Sequence, residues 1–303
     1  MKILTIFTPT YNRAYTLPRL YHSLLKQDTS IFEWLIVDDG STDNTRQVVE
    51  GWIKEGKVDI RYIYQQNAGK MQAHNRGVEE SRTDLFLCCD SDDWMADNSV
   101  KAAVDFWLNH TTGDNAKELP PLCGMISPKE LKNSGYDSMA TMPKNLNYTT
   151  LDGLYKLGYK GETALMFITD VIRHYPFPKI EGEKFITEKY IYNQLDRKYQ
   201  LLVYPEYYNI CEYQEDGYTS NAKKNALKNP LGCALYLKQD IEFAGKAANW
   251  QIYSYMAYRM LGHKNPFDMK GYKHKEFILF PRSIIKLVQF IIQLNKVNKK
   301  YNG

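Results

Sequence analysis

The stretch Asp84-Leu85-Phe86-Leu87-Cys88-Cys89-Asp90-Ser91-Asp92-Asp93 joins an apolar run of strand length to three carboxylates among its last four residues. Continuous apolar runs are typical of strands buried on both faces of a parallel sheet. Ligands of such sheets bind beyond the carboxyl ends of the strands, and a hard divalent cation relieves the repulsion between crowded carboxylates. The stretch therefore predicts a buried strand that ends in a cation site. The alternative is a solvated acidic turn in which Asp93 caps the next helix.

Two earlier segments have the same design of an apolar strand that opens into a polar loop. Residues 33–45 read EWLIVDDGSTDNT, and residues 3–13 read ILTIFTPTYNR. Because the carboxyl ends of parallel strands meet at one edge of a sheet, these three loops are predicted to lie together.

Strand and helix patterns alternate along the first half of the chain, which is typical of βαβ units in an α/β fold. The core is therefore predicted to be a mostly parallel sheet flanked by helices. Residues 128–147 are polar and irregular, and both a mobile lid and a long surface loop remain open for them. A catalytic domain is predicted over 1–222, with halves at 1–110 and 111–222, followed by a helical C-terminal region over 223–303. The predicted strands are 2–8, 33–38, 59–64, 84–90, 122–127 and 200–205, and the predicted helices are 16–27, 43–55, 71–81, 98–109 and 187–198.

Composition narrows the function classes. The chain has 303 residues, 44% of them hydrophobic and 24% charged, and a net charge of +4, which argues against a dedicated nucleic-acid binder. The five cysteines are an odd number and include an adjacent apolar pair, so they are interpreted as reduced thiols of a cytoplasmic protein. No apolar run reaches the roughly 18 residues of a membrane span, and the N-terminal run is too short for a signal peptide.

The ordered motifs PTYNR at 9–13, VDDGSTD at 37–43 and DSDD at 90–93 resemble those of family-2 glycosyltransferases over roughly residues 1–215. The resemblance implies a GT-A fold with a Rossmann-like sheet. It implies inverting, metal-dependent transfer from a UDP-sugar to a saccharide acceptor, expected to be lipid-linked, in bacterial capsule, lipopolysaccharide or teichoic-acid-type synthesis. The cofactor would be Mn²⁺ or Mg²⁺. The alternatives are a non-catalytic membrane-surface scaffold with a degenerate domain and a metal-dependent phosphohydrolase.

The resemblance also assigns roles to individual residues. Asp92 is the predicted metal ligand, and Asp90 either assists it or binds the ribose. Asp39 would accept a hydrogen bond from the uracil imide, or else act as part of an acidic turn fixed by backbone amides. For Lys70 and Arg76 a solvated surface role is the alternative. The full predicted nucleotide-sugar set is Thr8, Pro9, Tyr11, Arg13, Asp39, Lys70, Arg76, Asp90 and Ser91.

An inverting transfer needs a carboxylate base for the acceptor hydroxyl. Family members place it in a Glu-Asp pair before a helix, whereas this chain has Glu183 and, three residues after Phe185, Glu188. Glu188 is the predicted base and Glu183 its competitor. Either carboxylate can instead favour a helix N-terminus through the helix dipole.

The segment 277–300 combines an apolar stripe with lysines at 286, 296, 299 and 300. This pattern predicts an interfacial helix on the inner face of the cell membrane, so that the protein would be cytoplasmic and peripheral. Packing of this helix on its own catalytic domain, or in a homo-oligomer, is the alternative.

Overall fold

The computed structural model of the chain describes residues 2–132 and 140–214 and, beyond these, positions 217, 221, 225, 228–229, 231–233, 235–236, 239 and 243. The described residues fall into two compact units. The first contains the residues up to Phe177 together with Gln194–Gln214, and the second contains Pro178–Asn193 and the described positions after 214.

Four parallel strands form the centre of the first unit: β1 (Leu4–Thr10), β2 (Phe32–Asp38), β3 (Ile60–Tyr64) and β4 (Leu85–Cys88). Every residue of β1 and β2 is buried, as their apolar sequences predict. The crossovers between these strands carry α1 (Leu17–Leu24), α2 (Thr45–Glu55) and α3 (Lys70–Glu80). The predicted α/β architecture is confirmed, and the boundaries differ by a few residues because terminal pairing depends on the neighbouring strand.

The α1 and α2 helices bury apolar faces against this sheet. On α1, Leu17, Leu20 and Leu24 are fully buried, at the spacing expected for one helical face. Tyr21 of α1 stacks on Trp52 of α2 with ring centroids 4.4 Å apart, which joins the two helices over the sheet.

The rest of the first unit extends the sheet on the other side of β4. β8 (Thr163–Ile168) lies between β4 and β6 (Leu122–Lys132) and runs antiparallel to both, while β10 (Asn209–Glu212) pairs in parallel with β6. The strand order is β3-β2-β1-β4-β8-β6-β10-β5, and β9 pairs with β6 and β7. The remaining elements are β5 (Trp94–Met95), α4 (Ser99–Thr111), β6 (Leu122–Lys132), β7 (Tyr148–Thr149), α5 (Leu151–Lys156), β8 (Thr163–Ile168), α6 (Thr169–Ile172), α7 (Lys189–Leu195), β9 (Gln200–Val203) and β10 (Asn209–Glu212).

One prediction of irregular structure was wrong. Residues 128–132 continue β6, since Pro128 pairs with Thr163 on β8 and Lys129 pairs with Asn209 on β10. Backbone pairing on both sides overrides the weak strand propensity of this polar sequence. The following residues 133–139 lie outside the described part of the chain.

The predictions for the C-terminal region concern residues that the structure describes only in part. The segment 277–300 lies outside the described residues, and a boundary at 222 remains a prediction. Among the helices that the structure describes, none has the length and apolar character required to cross a membrane.

Candidate active site

The three polar loops predicted from the sequence lie at one edge of the sheet. Thr10, the last residue of β1, pairs with Asp38, the last residue of β2, and Phe7 of β1 pairs with Cys88 at the end of β4. The Cys89 N–H then donates to the Phe7 carbonyl at 2.9 Å, so the chain reaches Asp90 beside the end of β1. The parallel register therefore brings the loops after β1, β2 and β4 together.

The first two loops are tied by side chains. Asn12 adopts a left-handed backbone conformation with φ of 53°, which Asn tolerates better than most residues. Its N–H donates to Ser41 Oγ at 2.8 Å, and its Oδ1 accepts from the Thr42 N–H at 2.8 Å. Asp38 supports the same turn, since its Oδ1 accepts from the Ser41 N–H at 2.7 Å. The sequence motif contained Asn12, but its bridging role was missed because it depends on the second loop.

Asp39 joins the end of β2 to the loop before α3. Its carboxylate is buried and accepts from Gln65 Nε2 at 2.7 Å and from the N–H groups of Ala68 and Gly69, both at 2.8 Å. These bonds match the alternative of an acidic turn fixed by backbone amides. Since a carboxylate offers about four lone-pair directions, capacity for one further donor such as an imide N–H remains, and the uracil role stays a prediction.

The turn after Asp39 requires glycine. Gly40 has a φ of +88°, and a Cβ atom there would lie 2.8 Å from the main-chain nitrogen of Asn67. Both the backbone conformation and the close approach exclude other residues. The β2 loop and the β3–α3 loop are thereby held in contact beside the strand ends.

The predicted residues of the β1 loop have different environments. Thr8 is fully buried, and its Oγ1 accepts from the Trp34 indole N–H at 3.0 Å, so its side chain faces the core. Tyr11 is 49% exposed. The Arg13 guanidinium lies 5.6 Å from the centroid of the Tyr15 ring. Pro9 is buried within β1, and Tyr11 and Arg13 lie just beyond its end. The roles of all four residues at the nucleotide stay predictions.

An acidic cluster paired with two lysines follows β4. Lys70, the first residue of α3, places its Nζ 2.9 Å from Asp90 Oδ2. Lys129 of β6 places its Nζ 2.7 Å from Asp93 Oδ2, and both side chains are largely buried. Lys70 thus contacts the acidic cluster, and its role at the nucleotide stays a prediction. Lys129 was missed because only strand pairing brings β6 to this edge.

The charges in this cluster are not fully balanced. Burial raises the pKa of Asp92, and the neighbouring Asp90 charge raises it further. Burial also acts to raise the pKa of Asp90, but the Lys70 and Lys129 cations outweigh it and hold that pKa below its usual value. Burial raises the pKa of Asp93 to about 6 against the opposing effect of Lys129. Asp90 and Asp93 each contact a lysine, whereas the charges of Arg13 and Lys70 offset only part of the upward shift in the pKa of Asp92.

A divalent cation fits this arrangement. Asp90 and Asp92 supply hard carboxylate oxygens, and a bound cation would relieve the repulsion between them that raises the pKa of Asp92. Within the described residues no group of three or more Asp, Glu, His or Cys side chains forms a metal cage. Two carboxylates with diphosphate oxygens and waters would complete the coordination, as is usual for Mg²⁺ at phosphate sites.

Arg19 of α1 is a further residue that the sequence did not reveal. Its Nη2 donates to the Asp92 carbonyl at 2.6 Å, and its Nη1 donates to Glu212 Oε2 at 2.5 Å. Its guanidinium also lies 3.9 Å from the centroid of the Trp94 ring. The planar guanidinium of Arg19 therefore connects the Asp92 carbonyl to the end of β10.

The remaining predicted nucleotide-sugar residues are Ser91 and Arg76. Ser91, which lies between Asp90 and Asp92 in the sequence, is 7% exposed. Arg76 is half-exposed on α3 and pairs with Glu80 at 2.7 Å and with Glu79 at 3.8 Å. These contacts agree with the surface alternative for Arg76, and its role at the nucleotide stays a prediction.

The two candidate bases lie in the second unit. Glu183 accepts from the N–H groups of Leu231 at 2.8 Å and Gly232 at 2.7 Å, one on each carboxylate oxygen. These contacts hold Glu183 at main-chain donors of residues 231–232. Its role as a base and the alternative at the N-terminus of the helix that follows it both stay predictions. Glu188 immediately precedes α7, and its carbonyl accepts from the Ile191 N–H at 3.0 Å.

Known proteins share the sequence pattern of this chain. The family model for Glycosyl transferase family 2 matches residues 5–116. An uncharacterized glycosyltransferase of Haemophilus influenzae is 31% identical over 189 residues, which cover 61% of this chain and 70% of that protein. The chain belongs to glycosyltransferase family 2. The family predicted from the three motifs is confirmed.

Other relatives of this glycosyltransferase are named for polymers of ribitol phosphate and glycerol phosphate. The poly(ribitol-phosphate) beta-N-acetylglucosaminyltransferase TarS of Staphylococcus aureus is 31% identical over 108 residues, which cover 35% of this chain and 19% of TarS. The teichoic acid poly(glycerol phosphate) polymerase of Staphylococcus epidermidis is 34% identical over 117 residues, which cover 37% of this chain and 16% of the polymerase. The chain thus spans less than a fifth of each of these two proteins.

Solved structures show the fold. The structure of S. aureus TarS 1-349 with UDP-GlcNAc matches with a TM-score of 0.62 at 19% identity, covering 97% of this chain and 81% of that chain. The mannosyltransferase PcManGT of Pyrobaculum calidifontis with GDP-Man and Mn²⁺ matches with a TM-score of 0.55 at 16% identity, covering 99% and 87%. The predicted GT-A fold of this glycosyltransferase is confirmed.

Proposed function

We propose that the protein transfers a sugar from a UDP-sugar to a saccharide acceptor of a bacterial surface polymer, with inversion and with a bound Mn²⁺ or Mg²⁺. The observation that supports this proposal most directly is the Asp90 and Asp92 pair that follows the carboxyl end of β4, where repulsion from Asp90 adds to burial in raising the pKa of Asp92. The activity named for TarS makes UDP-N-acetylglucosamine the first donor to test. The names of two relatives, which refer to teichoic acid and teichuronic acid, support a polymer as the acceptor class, and a lipid-linked acceptor is part of the proposal.

The residues at the strand ends have distinct tasks in this reaction. Asp90 and Asp92 would hold the divalent ion, which when bound supplies positive charge to the leaving diphosphate. Lys70, which now neutralises Asp90, can turn to a phosphate oxygen within the reach of its flexible side chain. Tyr11 and Arg13 would contact the nucleotide from the β1 loop, and Asp39 would fix the position of the β3–α3 loop beside it.

The acceptor hydroxyl needs a carboxylate base. Glu183 uses both carboxylate oxygens on main-chain N–H groups of residues 231 and 232. We propose Glu188 as the residue that takes the acceptor proton, because it immediately precedes α7 and lies three residues after Phe185, which best matches the family's usual position. Removing a positioned general base slows transfer by roughly 10²–10⁴.

The test is calorimetric titration of UDP into the protein with and without Mn²⁺. We expect UDP binding to require the metal and to weaken in Asp92→Asn by at least about tenfold, equivalent to about 1.4 kcal/mol. Asp97→Asn is the matched control, because Asp97 follows β5 nearby in the chain but is exposed and pairs with Lys26. Metal-independent binding of undiminished affinity in Asp92→Asn would overturn the proposal. Release of UDP from a panel of UDP-sugars then identifies the donor.

A further inference from the structure

Glu162 precedes β8 and lies at the same edge of the sheet as the acidic cluster. β8 runs antiparallel to β4, with Met166 opposite Leu87, so residues before Thr163 lie beyond the carboxyl end of β4. Lys129 links the two places directly. Its N–H donates to the Glu162 carbonyl at 2.9 Å, while its Nζ contacts Asp93 at 2.7 Å. The length of one lysine side chain therefore separates Glu162 from the cluster.

Three tyrosines lie near Glu162. Tyr213, just after β10, is 50% exposed and donates its hydroxyl to Glu162 Oε1 at 2.5 Å. Tyr159 donates its hydroxyl to the Glu162 carbonyl at 2.9 Å. Tyr155 of α5 is 44% exposed, and its ring centroid lies 6.2 Å from that of Tyr159. The exposed carboxylate of Glu162 and the exposed ring of Tyr213 are thus joined by a hydrogen bond, and the exposed ring of Tyr155 contacts the buried Tyr159 that holds the Glu162 main chain.

This combination has the chemistry of a sugar-binding surface. A partly exposed tyrosine ring offers an apolar face with a polar tip, which suits the C–H face and the hydroxyl rim of a pyranose. The carboxylate of Glu162 retains acceptor capacity for sugar hydroxyls beyond the bond from Tyr213. Burial and Glu162 raise the pKa of Tyr213, so its hydroxyl remains a hydrogen-bond donor at neutral pH.

We propose that Glu162, Tyr155 and Tyr213 form a subsite for one uncharged pyranose of the substrate saccharide, while the buried Tyr159 holds the Glu162 main chain in place. The subsite rests on the proposed function, because it adjoins the site assigned to the diphosphate. A carboxylate repels a uronic acid or a phosphorylated sugar at this position, whereas it accepts hydrogen bonds from a neutral sugar. The pyranose is either the donor's own sugar or the terminal sugar of the acceptor.

The first experiment detects free sugars by saturation-transfer NMR on the full-length protein without nucleotide. We expect signals from N-acetylglucosamine, glucose or galactose and none from glucuronic acid. Glu162→Ala and Tyr155→Ala should each weaken the observed sugar binding at least about fivefold, equivalent to about 1 kcal/mol. Tyr64→Ala is the control, because Tyr64 is a similarly exposed tyrosine, at 51%, on β3.

The second experiment distinguishes the two sources of the pyranose. Calorimetry compares UDP with UDP-N-acetylglucosamine, UDP-glucose and UDP-galactose in the presence of Mn²⁺. If the donor sugar occupies the subsite, Glu162→Ala weakens binding of the UDP-sugar and leaves UDP binding unchanged. If the acceptor occupies it, both affinities stay unchanged, and the variant loses binding of the free sugar to protein loaded with Mn²⁺ and UDP.

Two results would overturn the subsite. One is that the wild-type protein gives no sugar signal and binds every UDP-sugar as it binds UDP. The other is that the Glu162 and Tyr155 variants match the Tyr64 variant in all measurements. A wild-type protein that fails to bind UDP would instead contradict the proposed function, and the NMR experiment without nucleotide would still decide the subsite.

Discussion

Replacing Lys129 with methionine removes the cation that faces Asp93 while keeping a side chain of similar length. The two side chains are 16% and 7% exposed, and their charged atoms lie 2.7 Å apart. Removing one partner of a buried ion pair costs about 3–5 kcal/mol, because the other charge stays buried without compensation. For a unit of this size such a loss lowers the melting temperature by about 10 °C.

The comparison uses Lys129→Met, Asp93→Asn and the double variant, unfolded in denaturant without divalent cations and followed by tryptophan fluorescence. The measurement is made at pH 8, where the Asp93 carboxyl, whose pKa burial raises to about 6, is ionised in the wild-type protein. We expect the double variant to lose only about 1–2 kcal/mol, since a neutral amide costs less to bury than an unpaired carboxylate. The two single changes should therefore be strongly non-additive.

Lys101→Met is the matched control. Lys101 and Asp105 pair on the surface of α4, with both side chains about half exposed, at 54% and 49%. Surface pairs of this kind contribute about 0.5 kcal/mol or less. Additive effects of the Lys129 and Asp93 substitutions, or a Lys129 effect no larger than that of Lys101, would refute the idea that this buried pair stabilises the acidic loop.

Three further outcomes are expected. Glu188→Gln should slow transfer by roughly 10²–10⁴ with donor binding intact, as removal of a general base does, while the larger rate loss in Glu183→Gln would reverse the assignment. Arg19→Gln should weaken Mn²⁺ binding in the presence of UDP, because Arg19 holds the Asp92 main chain; unchanged metal affinity would contradict this. Gly77→Ala places a Cβ 2.3 Å from the Phe7 ring and should destabilise by about 1–3 kcal/mol. At Gly51 no atom lies within 4 Å of an added Cβ, so Gly51→Ala should instead stabilise the protein by up to about 1 kcal/mol through the higher helix propensity of alanine. Equal effects of the two glycine substitutions in thermal melts would disprove the packing argument.

The first half of the fold and the acidic site could be predicted because their signals are local. The apolar runs of β1, β2 and β4 identify buried parallel strands, and parallel pairing requires their ends to share an edge. The carboxylates of 38–39 and 90–93 follow those strands directly. The sequence by itself therefore determined the family, the α/β core and the position of the candidate cation site.

The partners of those carboxylates were decided only by the tertiary structure. Lys129 reaches Asp93 because β6 pairs with β8 and β10, and Arg19 reaches the Asp92 carbonyl across 73 positions of the chain. No local sequence pattern predicts such contacts. A lysine in a polar stretch and an arginine on an amphipathic helix both have the sequence context of ordinary surface residues. The same holds for Glu162 and Tyr213, which lie 51 positions apart and meet because β8 and β10 both flank β6. Side chains that meet through non-local strand pairing depend on the register of the whole sheet, and the register is set by the packing of its core.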